Sequence, residues 1–238
     1  HFKLINAKAR KIKIKNIFTY STNKNANIVL DDFKINKSHL NIDICIYDEK
    51  KIKYKMNSIN SYLITNTMAL IACLKSIEYD LNLIKNLKDL SITKGRGNIT
   101  KLKKDNKIIK LHDHSYNSSP TSLFASLNSF LKISNQKNLI IVGDMHELGS
   151  KSNYYHIQVL NFLSKNRNSI HVLVGKNFFK NRKKYSSANM HFFNNVEYLN
   201  SEIVNFVEQI NKIFIKGSNS IGLYKTVNYL NNIMQIKK

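Results

Sequence analysis

The chain has 238 residues, with 38 Lys and Arg against 15 Asp and Glu, giving a formal charge of +23. A hydrophobic fraction of 42% supports a buried core and excludes wholesale disorder, and no apolar run approaches the roughly 20 residues that span a bilayer. Two cysteines, Cys45 and Cys73, make neither a disulfide framework nor a Cys-x-x-Cys metal site, which fits a reducing, cytoplasmic setting.

In chain order, the opening His1-Phe2-Lys3-Leu4-Ile5-Asn6 has no signal-peptide core and no initiating Met, which predicts a fragment or a processed product. Residues 11–19 alternate charged and apolar side chains, as do 41–46 and 51–56. That period of two predicts three half-buried strands in a meander. The pattern then becomes helical, with Ile64, Met68, Ile71 and Ala72 on one face and a second amphipathic stretch over 81–90. Thr93-Lys94-Gly95-Arg96-Gly97 brings the first glycines and predicts a domain boundary.

Beyond it, strands predicted at 107–111, 139–142, 171–174, 190–193 and 212–215 alternate with helices at 120–133, 152–163, 202–210 and 223–234, and a further helical stretch follows Gly175. Continuous apolar strands between amphipathic helices predict a parallel sheet covered on both faces, so 98–238 reads as a Rossmann-like α/β domain. Gly143, Gly175 and Gly217 fall at strand ends, where ligands bind in such sheets; plain turn chemistry explains them as well. No Gly-x-Gly-x-x-Gly follows a strand. Ser119 is placed to cap the helix that Pro120 begins, which fixes a polar loop from His112 to Ser119. Two histidines, an Asp, a Tyr and an Asn at a sheet edge make that loop a candidate site.

The charge is ambiguous. A basic balance suits phosphate binding, but the lysines are spread along the whole chain. Asn and Ile together make up about a quarter of the residues, well above ordinary usage. Lys, Asn and Ile enriched together point to AT-rich codons, under which the charge reports the genome and predicts no specific nucleic acid.

Asp113-His114-Ser115-Tyr116-Asn117-Ser118-Ser119-Pro120 is followed by Gly143-Asp144-Met145-His146-Glu147-Leu148-Gly149, then by His156 on a helix and Lys216-Gly217-Ser218. Upstream stand Asn66-Thr67-Met68-Ala69-Leu70 and the pair Gly95-Arg96. Taken in order, these segments resemble the Mur ligases, in particular the members that add D-alanyl-D-alanine to UDP-N-acetylmuramoyl-tripeptide during peptidoglycan biosynthesis. The resemblance implies an ATP-dependent ligase of three domains. Residues 1–94 would be the β-rich and helical end of the central, ATP-binding domain, and 95–238 the Rossmann-like C-terminal domain. It also implies a cytoplasmic monomer with no membrane partner, using ATP and Mg2+ to activate a carboxylate as an acyl phosphate for attack by the dipeptide amine. By the same resemblance Arg96 and Asp113 are the candidate catalytic residues, contacting ATP phosphate and ribose, and Asn66 stands beside the base. Asn117, Asp144, Lys216 and Ser218 line the dipeptide pocket, with Lys216 placed to attract its carboxylate. His146 and His156 are read as structural.

There are departures. His114 replaces an acid, Ser119 an Asn, Tyr62-Leu63 a His-Asn pair, and Asn219 an Arg. No Gly-Lys-Thr/Ser phosphate loop occurs, since Gly175-Lys176 runs into Asn177. The metal ligands are expected elsewhere in the full enzyme, and this chain alone is expected to be inactive. The alternatives are another Mur or folylpolyglutamate-type amide ligase, a basic nucleic-acid-binding module, and the product of a decayed gene.

Overall fold

The computed structural model describes residues 2–22, 25–37, 39–47, 51–58, 61–89, 93–104, 106–132, 137–208 and 210–236. Leu90, Ile133 and Gln209, which fall inside expected helices, lie outside that set. The chain forms two compact units, His1–Ser91 and Ile92–Lys238. Among the described residues no helix is long and apolar enough to cross a membrane.

The first unit contains α1 (Phe2–Lys11), β1 (Tyr20–Ser21), β2 (Ile28–Ile35), β3 (Leu40–Ile46), β4 (Ile52–Met56), α2 (Tyr62–Ser76) and a 3-10 helix at Leu81–Asp89. Its described strands run in the order β1-β2-β3-β4, with β1 parallel to β2 and the rest antiparallel. The alternation in β3 and β4 does what a period of two requires. Leu40, Ile42, Ile44, Ile46, Tyr54 and Met56 all point to one face, where Ile64, Met68, Ile71 and Ala72 of α2 meet them with Ile84 and Leu87. The buried Tyr54 hydroxyl pairs with Thr67 of α2.

The strand expected over 11–19 is absent. The Ile12 and Ile14 N–H groups bond back to the Lys8 and Ala9 carbonyls, so the chain continues α1 instead of pairing sideways. Ala, Leu, Lys and Arg in α1 are good helix formers, and Ile12 and Ile14 stay 72% and 48% exposed. β2, which the alternation did not reveal, carries a register shift between Leu30 and Asp32. One extra residue there breaks the period of two.

The second unit contains β5 (Asn98–Lys104), β6 (Lys107–His114), α3 (Pro120–Lys132), β7 (Asn138–Gly143), α4 (Ser152–Ser164), β8 (Ser169–Val174), α5 (Lys176–Phe179), α6 (Arg182–Tyr185), β9 (Met190–Phe193), α7 (Val196–Glu202), α8 (Val204–Val207), β10 (Lys212–Lys216), α9 (Leu223–Ile233) and β11 (Gln235–Ile236), with 3-10 turns at Gly149–Lys151 and Asn219–Ile221. The described strands run β11-β5-β6-β10-β7-β8-β9. From β6 to β9 all neighbours are parallel, and β5 and β11 add an antiparallel margin.

The buried strands feed both faces in turn. Leu139, Ile141, Val172, Val174, Ile213 and Ile215 join α7, α8 and α9 in one core, while Ile140, Val142, Leu173 and Phe214 join α3, α4 and α5 in another. This is why these strands read as unbroken apolar runs. Each such side chain contributes about 1.5–3 kcal/mol relative to exposure.

Three boundaries differ from the sequence reading. β6 continues to His114 because β5 pairs with it as far as Asp113 and β10 as far as His114, so His112, Asp113 and His114 belong to a strand. The helix expected at 202–210 starts at Val196 instead, capped by the Asn195 side chain accepting from the Tyr198 N–H at 3.0 Å, and breaks at Ile203. β5 was hidden by its lysines, since only Leu102 of that strand is fully buried.

Candidate functional site

In the parallel sheet β6, β10, β7 and β8 end side by side, with Lys216 in register with His114 on one side and Val142 on the other. The segment from β6 to α3 is closed by reciprocal capping. Ser119 Oγ accepts from the Ser122 N–H at 3.3 Å, and Ser122 Oγ accepts from the Ser119 N–H at 3.1 Å. This is the arrangement of a capping box with serine in place of the usual acid.

The segment from Gly95 to Gly97 packs against that turn. The Tyr116 N–H donates to the Gly95 carbonyl at 3.1 Å and the Gly97 N–H to the Asp113 carbonyl at 2.7 Å. Gly95 has a φ of +79°, and a Cβ there would lie 2.9 Å from the Tyr116 nitrogen, so only glycine fits. The exposed Arg96 guanidinium lies over the Tyr116 ring, 4.3 Å from its centroid, a cation–π contact. Asp113 is buried at the end of β6, its Oδ1 accepting from the Ser115 N–H at 2.9 Å. Lys216 is only 7% exposed and donates from Nζ to the Asn117 carbonyl at 2.8 Å. Burial, with the charge of Arg96 adding to it, brings the Lys216 pKa down to about 8. Burial and then the charge of Lys216 hold His114 near 4, a neutral imidazole at physiological pH.

A second cluster joins β7, β8 and β10. The carboxylate of Asp144, 1% exposed, accepts from the Asn177 N–H at 2.7 Å, the Asn177 side-chain amide at 3.1 Å and the Phe178 N–H at 3.0 Å. Gly175 makes this possible. Its φ is +118°, and a Cβ there would come within 2.5 Å of the Asp144 carboxyl carbon. The Asp144 carbonyl accepts from the Ser218 N–H at 3.1 Å, and Ser218 Oγ accepts from the His146 N–H at 2.9 Å. His146 Nδ1 meets Ser220 Oγ at 2.6 Å. His156 is fully buried, with Nδ1 bonded to the Ser152 carbonyl at 2.7 Å and Nε2 accepting from the Met145 N–H at 3.0 Å. Those partners fix one neutral tautomer, in keeping with a pKa lowered chiefly by burial. Although Nε2 is also 3.5 Å from Asp144 Oδ1, the neutral ring makes this a packing contact and not an ion pair.

The sequence-derived residues thus fall into three groups. Arg96, Asp113, Asn117 and Lys216 share the β6–α3 turn and the strand ends beside it. Asp144 and Ser218 are tied to each other, with the Asp144 carboxylate engaged by its own fold. Asn66 is exposed on α2 and belongs to the first unit. Asn177, which grips Asp144, was not singled out; its position two residues beyond a strand-end glycine was the available signal. Gly143 and Gly217 serve packing, since a Cβ on Gly217 would lie 2.9 Å from the Gly143 Cα and 2.8 Å from Leu223 Cδ1. Among the described residues no three His, Cys, Asp or Glu side chains converge as a metal site.

No protein-family profile matches the chain. Over 92% of its length it is 26% identical to the UDP-N-acetylmuramoyl-tripeptide–D-alanyl-D-alanine ligase of Rickettsia prowazekii, covering 48% of that protein. The fold is shared with MurF from Acinetobacter baumannii, with a TM-score of 0.71 and 19% identity over 94% of this chain and 50% of that one. It is shared as well with the MurF ligase of Thermotoga maritima in complex with ADP, with a TM-score of 0.67 and 17% identity over 95% of this chain and 51% of that one. The chain spans about half the length of the relatives it matches. In sequence and in fold alike, this chain is similar to the Mur ligases over about half of their length.

Proposed function

We propose that this chain is the C-terminal half of an ATP-dependent ligase that joins D-alanyl-D-alanine to UDP-N-acetylmuramoyl-tripeptide in peptidoglycan biosynthesis. In this reading residues 1–94 are the end of the central domain and 95–238 the C-terminal domain, acting as a cytoplasmic monomer. The observation that carries it is the β6–α3 turn, where Arg96, Asp113, Asn117 and Lys216 lie on one strand-end surface of a sheet with the Mur ligase fold.

A carboxylate is a poor electrophile, and ATP supplies the phosphoryl leaving group that activates it. The residues present do not fit a magnesium-bound triphosphate by themselves. There is no phosphate loop in the sequence and no convergent metal set among the described residues; this reading assigns both to the length of the relatives that the chain does not span. What this chain contributes is the acceptor side. Asn117 and Ser218 border the pocket for the incoming dipeptide, and Lys216 stands between that pocket and Arg96. Asp144 acts through its carbonyl on Ser218 and through its carboxylate on α5, so it positions the pocket wall without touching substrate. Arg96 and Asp113 face the nucleotide, with guanidinium donors for phosphate and a carboxylate for ribose hydroxyls. Holding the amine at the activated carbon while water is kept out supplies the proximity that such a reaction needs.

The test is titration of the chain with D-alanyl-D-alanine, followed by amide chemical shifts. Shifts concentrated at Asn117, Gly217 and Ser218, lost in Asn117→Ala and absent with L-alanyl-L-alanine, are the expected result. No shift at those residues at saturating dipeptide overturns the reading.

A further inference from the structure

Two cations are anchored on consecutive residues of one turn. The Arg96 guanidinium rests on the ring of Tyr116, and the Lys216 ammonium bonds the carbonyl of Asn117. The next residue, Ser118, is 5% exposed, and its Oγ has no hydrogen-bond partner among the described residues. Two residues further on Pro120 begins α3, whose Ser122 and Leu123 N–H groups are taken by the Ser119 hydroxyl and carbonyl, so the side chains of the turn are left to meet a ligand. We infer that Arg96, Lys216 and Ser118 form a single cradle for a phosphoryl group at the β6–α3 turn.

Resemblance alone divides the two cations, giving Arg96 a phosphate and Lys216 the dipeptide carboxylate. The geometry favours a shared anion. Lys216 is buried, and no carboxylate among the described residues forms an ion pair with it. A buried cation with a second cation close by is costly to keep charged unless an anion completes the set. A carboxylate brings one negative charge, whereas a phosphoryl group brings close to two at neutral pH. It also brings three acceptor oxygens, enough for a guanidinium fork, an ammonium and a hydroxyl. An orphaned buried hydroxyl in the same turn is the kind of group that a ligand oxygen satisfies. Lys216 then acts on the phosphoryl side of the reaction, and the dipeptide is left to Asn117 and Ser218. Only the identity of that phosphoryl group, as the one carried by the acyl phosphate, rests on the ligase reading; the cradle itself does not.

The experiment uses the whole chain, with inorganic phosphate as the probe and D-alanyl-D-alanine as the competitor, in calorimetric titrations at low ionic strength. Arg96→Gln and Lys216→Gln are each expected to weaken phosphate binding about tenfold or more, the loss typical of a charge-assisted hydrogen bond. Ser118→Ala is expected to weaken it about fivefold. Lys216→Arg, which keeps the charge at the same place, should retain binding and so separate loss of the cradle from loss of the fold. Lys101→Gln, on β5, should change nothing. Phosphate affinity unchanged in Lys216→Gln, equal weakening in Lys101→Gln, or displacement of phosphate by D-alanyl-D-alanine would each overturn the inference. If the dipeptide does not bind while phosphate behaves as described, the ligase reading fails and the cradle stands.

Discussion

Replacing Asp144 by alanine should destabilise the second unit severely, although the side chain adds no apolar surface to the core it borders. Its carboxylate takes three hydrogen bonds from Asn177 and Phe178 in a nearly water-free place. Hydrogen bonds to a charged acceptor are worth about 1.5–3 kcal/mol each. The part-buried Asn177 donors regain some water on truncation, while the buried Phe178 N–H does not. A net loss of about 3 kcal/mol follows, against a total stability of about 5–15 kcal/mol. For a unit of this size that corresponds to a melting temperature lower by about 6–12 °C. Because the two units need not unfold together, the measurement is hydrogen exchange of β7 and β8 amides alongside the thermal melt. Asp144→Asn should fall between, since it keeps one acceptor but turns an amide donor towards other donors. A loss below about 1 kcal/mol in Asp144→Ala would refute the view that this carboxylate holds α5 to the sheet.

Three further outcomes are expected. Gly217→Ala forces a methyl against the Gly143 Cα and Leu223 Cδ1 and should cost about 1–3 kcal/mol, read by denaturant titration, whereas Gly222→Ala meets only the flexible Lys225 side chain and should cost about 1–2 kcal/mol through its φ of +80° instead. Ile44→Ala empties the middle of the first unit's core and should lower that unit's stability by about 2–5 kcal/mol, leaving exchange from β7 and β8 untouched. His112, His114 and His171 are held neutral near 4, mainly by burial, against an ordinary 6.5. Their contribution to stability is therefore complete above pH about 6.5 and is lost as the pH falls towards 4. Melts at pH 7.5 and 5 should differ by several degrees, and His171→Leu should narrow that gap.

The two sheets were legible to different degrees for physical reasons. In β3, β4, β7, β8 and β10 each side chain's environment follows directly from pleat geometry, so a period of two or an unbroken apolar run was visible. β2 failed that test through its register shift and β5 through its lysines, while the alternating lysines and isoleucines from Lys11 misled because the Ile12 and Ile14 N–H groups bond back to the end of α1. Motif order pointed to the strand ends, yet the distribution of work among the residues there was invisible. Nothing in Gly-Asp-Met indicates that the aspartate caps a helix 33 residues later. Nor does Lys-Gly-Ser reveal that its lysine reaches a carbonyl 99 residues upstream. Such pairings are properties of the folded sheet, and local sequence carries no trace of them.

The short strand β11 pairs with β5, matching Gln235 to Lys103 and Ile236 to Leu102. The first described strand of the second unit is therefore covered, over two of its seven residues, by the last described one. Among the described residues that flank gains its neighbour only when residue 236 has been made, after the other described strands of the sheet. Without Gln235 and Ile236 the whole of that flank would be open to pairing with another copy.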